Sequence, residues 1–290
     1  QWAGAGRVHA ADTPADTYVA TLAHWWRDAS EHRKALDVVD RVLLLAGRNA
    51  DVEELNLRAR SLFRLEKRLH GRDVTFALSG GERLSLARGD IVRVRANDYR
   101  SRRDADRADV LNGYRAEVLE VDRRQGALIQ WWRGGQTTQE WISPSQIAAG
   151  HLSHGYAMTV AAAQGLTSDR AHVYGLGVDG HTLYSAMSRA KLRTDLYLPL
   201  GVLESLEEQA ERGRARTERE RTDRAVASYA PTVNEPDDAM VTDETMRDRG
   251  RAGTAPGTAP TDEPGPQANA LLERRSALVA AMAALERVDE

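Results

Sequence analysis

The stretch His154-Gly155-Tyr156-Ala157-Met158-Thr159-Val160-Ala161-Ala162-Ala163-Gln164-Gly165-Leu166-Thr167 decides how this sequence is read. Its Tyr156–Val160 part is an apolar run of strand type, and Ala161–Gly165 reads as a tight turn or short helix. A second strand-like run, Ala171-His172-Val173-Tyr174-Gly175, follows; then come a helical stretch from Thr182 to Lys191 and a last strand from Asp195 to Leu200. Upstream, Val42-Leu43-Leu44-Leu45-Ala46 is unbroken and apolar, as expected of a strand buried on both faces. The turn Gly47-Arg48-Asn49 leads from it into a helix running to about Leu69, with Asp51 at the N-cap position and Glu54 three residues on. Before that strand, Tyr18, Leu22, Trp25, Trp26 and Ala29 recur at helical spacing. Strand, turn and helix in this alternation build a parallel α/β sheet.

Between the two halves of that pattern the texture changes. Short alternating runs, Val74–Leu78, Ile91–Arg95, Ala116–Val121 and Ala127–Trp131, are separated by Gly80-Gly81, Gly89-Asp90, Asn112-Gly113 and Gly134-Gly135. This is a small antiparallel β module, read as a barrel of about five strands inserted into the α/β domain. It carries an arginine-rich loop with Arg100, Arg102, Arg103 and Arg107. After Gly201 the apolar signal fades. Glu204–Arg224 is dense in Glu and Arg, and six of the nine prolines fall between Pro231 and Pro266. That composition predicts a disordered linker followed by an Ala/Leu helix. The expected organisation is residues 1–72 as the first part of the α/β domain, 73–148 as the inserted module and 149–201 as the rest of the domain. Residues 202–268 follow as a charged, then Pro-rich linker and 269–290 as a terminal helix.

Composition excludes several classes. With 41% hydrophobic and 29% charged residues the chain is globular, and no apolar run approaches the ~18 residues of a membrane span. The absence of cysteine excludes disulfides and thiolate metal sites and fits a reducing cytoplasm. His151 and His154 lack carboxylate or thiolate partners, so no metal site is expected. A net charge of -3 makes the chain no general magnet for nucleic acid and leaves that role to local patches. The start Gln1-Trp2-Ala3-Gly4 has neither an initiator Met nor a signal-peptide layout, so a piece of a longer protein is expected.

Two segments carry a family resemblance: His154–Thr167, and Leu183-Tyr184-Ser185-Ala186-Met187-Ser188-Arg189-Ala190-Lys191. They resemble motifs V and VI of superfamily 1 helicases, in the RecD-like branch that includes the helicase halves of conjugative relaxases. The family patterns are roughly HGYAxTxHKxQGxT and YxAxSRAR/K, and both occur here in that order. Leu44–Arg60 resembles the motif IV region, and the β module resembles the SH3-like insertion of this branch. The resemblance spans about Tyr18 to Leu200 and implies a RecA-like fold with an inserted SH3-like barrel, using ATP and Mg²⁺ to move single-stranded DNA.

It also implies roles for residues. Arg189 would be the arginine finger, a guanidinium that stabilises the transferring phosphoryl group across a cleft and is worth ~10³–10⁵ in rate. Read on its own, Arg189 is a surface arginine at a helix C-terminus, favoured by ~0.3–1 kcal/mol through the helix dipole. Gln164 and Gly165, with Arg48, would meet the nucleotide. Thr159, His154 and Thr167 would meet DNA. Arg48 reads equally as a solvated loop arginine, and Thr159 as a plain strand residue. Arg100, Arg102 and Arg103 are candidates for phosphate contacts, although Asp98, Asp104, Asp106 and Asp109 interleave with them. Trp131, Trp132 and Trp141 read either as base-stacking platforms or as core. Where the family pattern has His-Lys this chain has Ala161-Ala162, which removes an imidazole and an ammonium. No GxxxxGK[ST] is present, so an upstream P-loop motor domain or relaxase domain is the expected partner. The alternative is a truncated, non-catalytic module that binds nucleic acid or a partner without turnover.

Overall fold

A computed structural model describes residues 6–234. Its centre is a five-stranded sheet in the order β1-β12-β11-β2-β10, parallel throughout. The strands are β1 (Val8–Ala11), β2 (Val42–Ala46), β10 (Met158–Thr159), β11 (Ser168–Tyr174) and β12 (Ala190–Pro199). Every residue of β2 is buried, as its unbroken apolar run demands.

Alternation along the strands sorts the two faces. Leu43, Leu45, Ala171, Val173, Leu196 and Leu198 share one core, with Ala186 of α5 (Gly180–Met187) and Ala225 and Tyr229 of α8 (Glu218–Asn234). The intervening residues turn to α1 (Pro14–Ser30) and α3 (Asn49–Leu65). There His172 bonds Asp28 at 2.9 Å and Tyr197 at 2.8 Å, and Tyr174 stacks on Tyr18 with centroids 4.5 Å apart. Helices on both faces of a parallel sheet make this a doubly wound α/β layer.

Helix α1 starts one residue after Thr13, whose side chain accepts from the Asp16 N–H, and Pro14 fits the first turn. Asp51 was the expected N-cap of α3; the helix begins earlier, after Arg48, and Asp51 lies buried inside its first turn. Strand β1 was not foreseen, since Val-His-Ala-Ala has no periodicity and becomes a strand only by pairing with β12.

The β module follows α3. A hairpin, β3 (His70–Ala77) with β4 (Arg83–Arg88), packs on an antiparallel sheet through Phe76, Leu84 and Leu86. That sheet runs β8-β7-β6-β5-β9, from β8 (Gln136–Ile142) through β7 (Gly126–Arg133), β6 (Arg115–Asp122) and β5 (Ile91–Val94) to β9 (Leu152–His154). The module, expected as a barrel of about five strands, has ladders that give a five-stranded sheet with the hairpin beside it. Strand β9 sits at its edge and leads directly into β10, so the module is built into the motif segment.

The charged stretch from 202 differs from the expected linker. Leu200–Leu203 forms α6 and Leu206–Arg212 forms α7, and α8 follows. Its Glu/Arg density is matched charge: buried Glu204 takes a two-point bond from Arg224 at 2.7 and 2.6 Å. Ala225 and Tyr229, four residues apart, give α8 its buried face. The Pro-rich part beyond 234 and the helix expected at 269–290 lie outside the described residues. Among the described residues no helix is long and apolar enough to cross a membrane.

One polar network under α1 has a pH signature. Burial, then His9, Arg27 and His172, lower the His24 imidazole to about 4 from its ordinary 6.5. Between those values the unfolded chain takes up a proton that the fold refuses, so stability falls as pH drops through that window. The loss attributable to His24 is up to roughly 3 kcal/mol. His24→Gln is therefore expected to flatten the stability-versus-pH curve between pH 6.5 and 4, measured by urea unfolding. Parallel curves for the two proteins would refute the assignment.

Candidate functional site

The first residues of the His154–Thr167 segment are held in place from several directions. His154 is tucked against the hairpin with Nε2 3.0 Å from the Ser85 carbonyl, which only accepts, so this nitrogen carries the proton. Burial lowers its pKa. His154, expected as a DNA contact, is a packed, hydrogen-bonded residue here. A Cβ on Gly155 would stand 2.6 Å from the Val92 backbone, so only glycine fits there. Tyr156 is fully buried, donates to Asp90 at 2.6 Å and packs edge-on against Phe63. Burial and the Asp90 carboxylate push its phenol well up. Ala157 exchanges two bonds with the Asn56 amide, at 2.9 and 3.1 Å.

A buried guanidinium completes the clamp. Arg115 donates to the carbonyls of Gly155 at 2.9 Å, Val39 at 2.8 Å and Tyr156 at 3.3 Å. No carboxylate pairs with it among the described residues. Burial, with Arg93 alongside, lowers it to about 10, still charged at neutral pH. Asn56, Asp90, Arg115 and Tyr156 were all missed as a group. Only Asn56 left a signal, as an amide inside a leucine-rich helix where its side chain gains nothing locally.

Beyond the clamp the segment crosses the sheet. Thr159 pairs with Ala46 at the carboxyl ends of β10 and β2, and its Oγ1 accepts from the Ala162 N–H at 3.2 Å. One 3-10 turn, Ala161–Ala163, follows. By Leu166 the chain lines a cavity of about 250 Å³ beside Leu43, with Thr167, Tyr114 and Trp132. At Ser168 it starts β11 level with Ala190, and the Ser168 N–H donates to the Arg189 carbonyl at 2.9 Å. Gln164, Gly165 and Thr167 are exposed, and Gly165 has φ +85°, which suits glycine.

Arg189 stands at this amino-terminal edge. Its Nε donates to the Ser185 carbonyl at 2.9 Å and one Nη to Ser188 Oγ at 3.2 Å, and no carboxylate pairs with it among the described residues. Arg48 is elsewhere. It follows Ala46, which pairs with Tyr174, the far end of β11 from Ser168. Six residues of strand separate the two levels, about 20 Å at ~3.3 Å per residue. Arg48 and Arg189 therefore stand at opposite edges of the sheet, with Gln164 and Gly165 on the loop that runs between those edges. Arg48 shares the carboxyl edge with Thr159 and is bound to Asp51 by two bonds, at 2.7 and 2.9 Å. There Gly47 and Gly177 meet: a Cβ on Gly47 would lie 2.5 Å from the Gly177 oxygen. The β2 loop leaves to α3 and the β11 loop to α5, on opposite faces, the switch point at which doubly wound sheets open a crevice.

The arginine loop is mostly self-neutralised. Arg100 is 2% exposed and bonds Asp98, Glu140, the Trp141 carbonyl and Gln146. The guanidinium of Arg100, expected to meet DNA, is taken up by these internal bonds. Arg103 pairs with Asp98 and Arg107 with Glu140. Arg102 lies over the exposed Tyr99 ring at 4.4 Å, with no ion pair among the described residues. Trp131 is core, whereas Trp132 is 43% exposed at the cavity.

No protein-family profile matches the chain. The chain is similar to TraA conjugal transfer proteins. It is 30% identical over 178 residues to conjugal transfer protein TraA of Agrobacterium fabrum, covering 61% of this chain and 14% of that protein. With a probable conjugal transfer protein TraA of Sinorhizobium fredii it shares 28% over 193 residues, 66% of this chain and 16% of that one. The chain thus spans only a small part of these relatives. Among solved structures it is similar to the Pif1 helicase of Candida albicans, with TM-score 0.39 and 13% identity over 63% of this chain and 52% of that one. Bacteroides Pif1 bound to single-stranded DNA gives TM-score 0.33 and 17% identity over 53% of this chain and 40% of that one. Bacteroides Pif1 with ADP-AlF4 gives 0.34 and 16% over 62% and 45%.

Removing the clamping guanidinium leaves three carbonyls without their donor, each worth about 1–3 kcal/mol when stranded in the interior. Arg115→Met is expected to lower unfolding stability by roughly 3 kcal/mol or more. A urea midpoint unchanged from wild type would show that the clamp is dispensable.

Proposed function

We propose that this chain is the C-terminal motor part of a RecD-like superfamily 1 DNA helicase of the conjugative relaxase type, with the β module as its SH3-like insertion. The observation that carries the reading is the course of Val160–Thr167, which starts at the carboxyl edge beside Thr159 and ends at the amino edge beside Arg189. One short loop therefore links a strand-binding edge to a nucleotide-facing edge. Thr159 and the carboxyl edge would follow the DNA backbone, with Arg102 as an outlying phosphate contact. Thr167, at the other end of the loop, falls on the nucleotide side.

At the amino edge the residues fit a nucleotide's terminal phosphate. Arg189 has no carboxylate partner among the described residues, and Gly165, exposed with φ +85°, leaves its backbone open to solvent. ATP with Mg²⁺ would supply the free energy that drives cleft closure. The main phosphate grip would come from a P-loop RecA-like domain, since none is encoded in these 290 residues. The surface around Arg189 supports such docking: Tyr184 is 79% and Leu192 66% exposed, an apolar fringe on a cationic rim. The Ala161-Ala162 pair favours a second reading, a binding module without turnover, because two polar side chains of the family pattern are absent from the strand-binding edge.

Fluorescence anisotropy with labelled single-stranded DNA across a salt series tests the first reading. Micromolar affinity falling steeply with salt is expected, weakened about threefold to tenfold by Thr159→Val and untouched by Arg189→Ala. Absence of binding at low salt would overturn the strand-binding half of the proposal. In a longer chain that includes the P-loop domain, Arg189→Ala is expected to lower kcat for ATP hydrolysis ~10³-fold or more. A change under tenfold would remove Arg189 from the finger role.

A further inference from the structure

A second cavity, about 270 Å³, lies where the ends of α1 and α3 meet the β module. Arg33, Lys67, Arg68, His70 and Arg88 line it, and Glu117 is the only acid in its wall. Two of these groups already have structural duties. Arg68 donates to the carbonyls of Ala29, Ser30 and His32 at the end of α1 and lies over the Trp26 ring at 4.8 Å. Glu117 accepts from the Leu36 N–H at 3.2 Å. Arg33, Lys67 and Arg88 make no side-chain hydrogen bond or ion pair among the described residues. Several arginines elsewhere are matched, Arg60 with Asp73 and Asp90, Arg100 with Asp98 and Glu140, Arg224 with Glu204, while Arg102, Arg115 and Arg189 have no ion pair among the described residues.

The backbone adds an independent observation. Lys67 has φ 57°, the only non-glycine residue in the left-handed region among the described residues, against twelve glycines there. The position closes α3, where glycine is the unstrained choice. The chain instead keeps a lysine there, and its side chain lines the cavity. Gly89 fixes the opposite wall. It has φ +92°, and a Cβ on it would collide with the Arg68 carbonyl. Arg33, Lys67 and Arg88, with Arg68 beside them, outnumber the single carboxylate of the wall, Glu117, which acts on Arg88, so the recess keeps an excess of positive charge that favours an anion. Guanidinium and ammonium groups together suit a phosphate oxyanion, which accepts from several donors at once.

We propose that this cavity binds a phosphate group, carried either by a nucleic-acid strand or by a free nucleotide. The site uses no residue of either sheet edge and stands apart from the motor reading.

The 290-residue chain is tested with two probes: inorganic pyrophosphate by titration calorimetry, and a labelled oligothymidylate by anisotropy. The variant is Lys67→Gly/Arg33→Ser, which removes two cations from turns and relieves the left-handed lysine. Its urea midpoint is expected to equal or exceed that of wild type. Whichever probe binds is expected to bind at least tenfold more weakly to the variant. Loss confined to the oligonucleotide identifies a strand phosphate, and loss of pyrophosphate binding identifies a free ligand. If neither probe binds, or if the variant with its midpoint intact binds both as wild type does, the proposal fails and the cations only face the helix ends.

Discussion

Arg115 is the constraint on which the rest of this structure depends. A guanidinium with no carboxylate among the described residues, donating to three carbonyl oxygens, is a costly thing to bury, and it persists only where the surrounding backbone is fixed. Here the three carbonyls come from α2 (Ala35–Arg41) and from Gly155 and Tyr156, two of the three residues that join β9 to β10. The charge therefore makes the β module, the helical layer and the start of the motif segment one rigid piece. Asp90 repeats the pattern with opposite sign, taking bonds from Arg60 of α3 and from Tyr156. Two buried ions of opposite sign, each bonded across the same seam, give that seam one geometry.

This rigidity determines what the motif segment can do. His154 through Ala157 are spent on packing and hydrogen bonds, so their side chains are unavailable to a ligand. Thr159 to Thr167 is what remains, and it lies over the sheet like a bridge between its two edges. A displacement at one end of such a bridge has little slack to absorb it before the other end, because Val160 is bonded to Ala46 and Ser168 to Arg189. Coupling of that kind needs a fixed frame, which the clamp supplies.

Much of the fold was legible because burial on both faces writes itself as an unbroken apolar run. Val42–Ala46 was read to the residue, whereas the helix read as Thr182–Lys191 ends at Met187 and the strand read from Asp195 already starts at Ala190. What was not legible came from pairings far apart in sequence. Asn56 meets Ala157, Asp90 meets Tyr156 and Arg115 meets Gly155, and none of these has a local pattern. Strand β1 and helix α8 were missed for related reasons: one has too few residues to show a period, and the other hides a Tyr229 stripe under matched charges. The site residues were legible as motifs but not as places. Only the parallel register could assign Arg48 and Arg189 to opposite ends of the sheet.

The Ala161-Ala162 pair is best weighed from its position. Ala161 is exposed at the carboxyl edge, while Ala162 is half-buried and packs on the core that Ala163 enters. A lysine at 162 would have to lead its stem out along that core. An imidazole at 161 would stand in solvent beside Thr159. The alanines thus change chemistry without disturbing the turn, since the Thr159 hydroxyl still receives the Ala162 N–H and the register with β2 is kept. Beside the turn the edge keeps the Thr159 hydroxyl, the α3 N-terminus and an Arg48 already bonded to Asp51. The bridge itself, from Thr159 to Arg189, does not depend on those two side chains. The substitution therefore changes the chemistry at one end while leaving the connection between the ends intact.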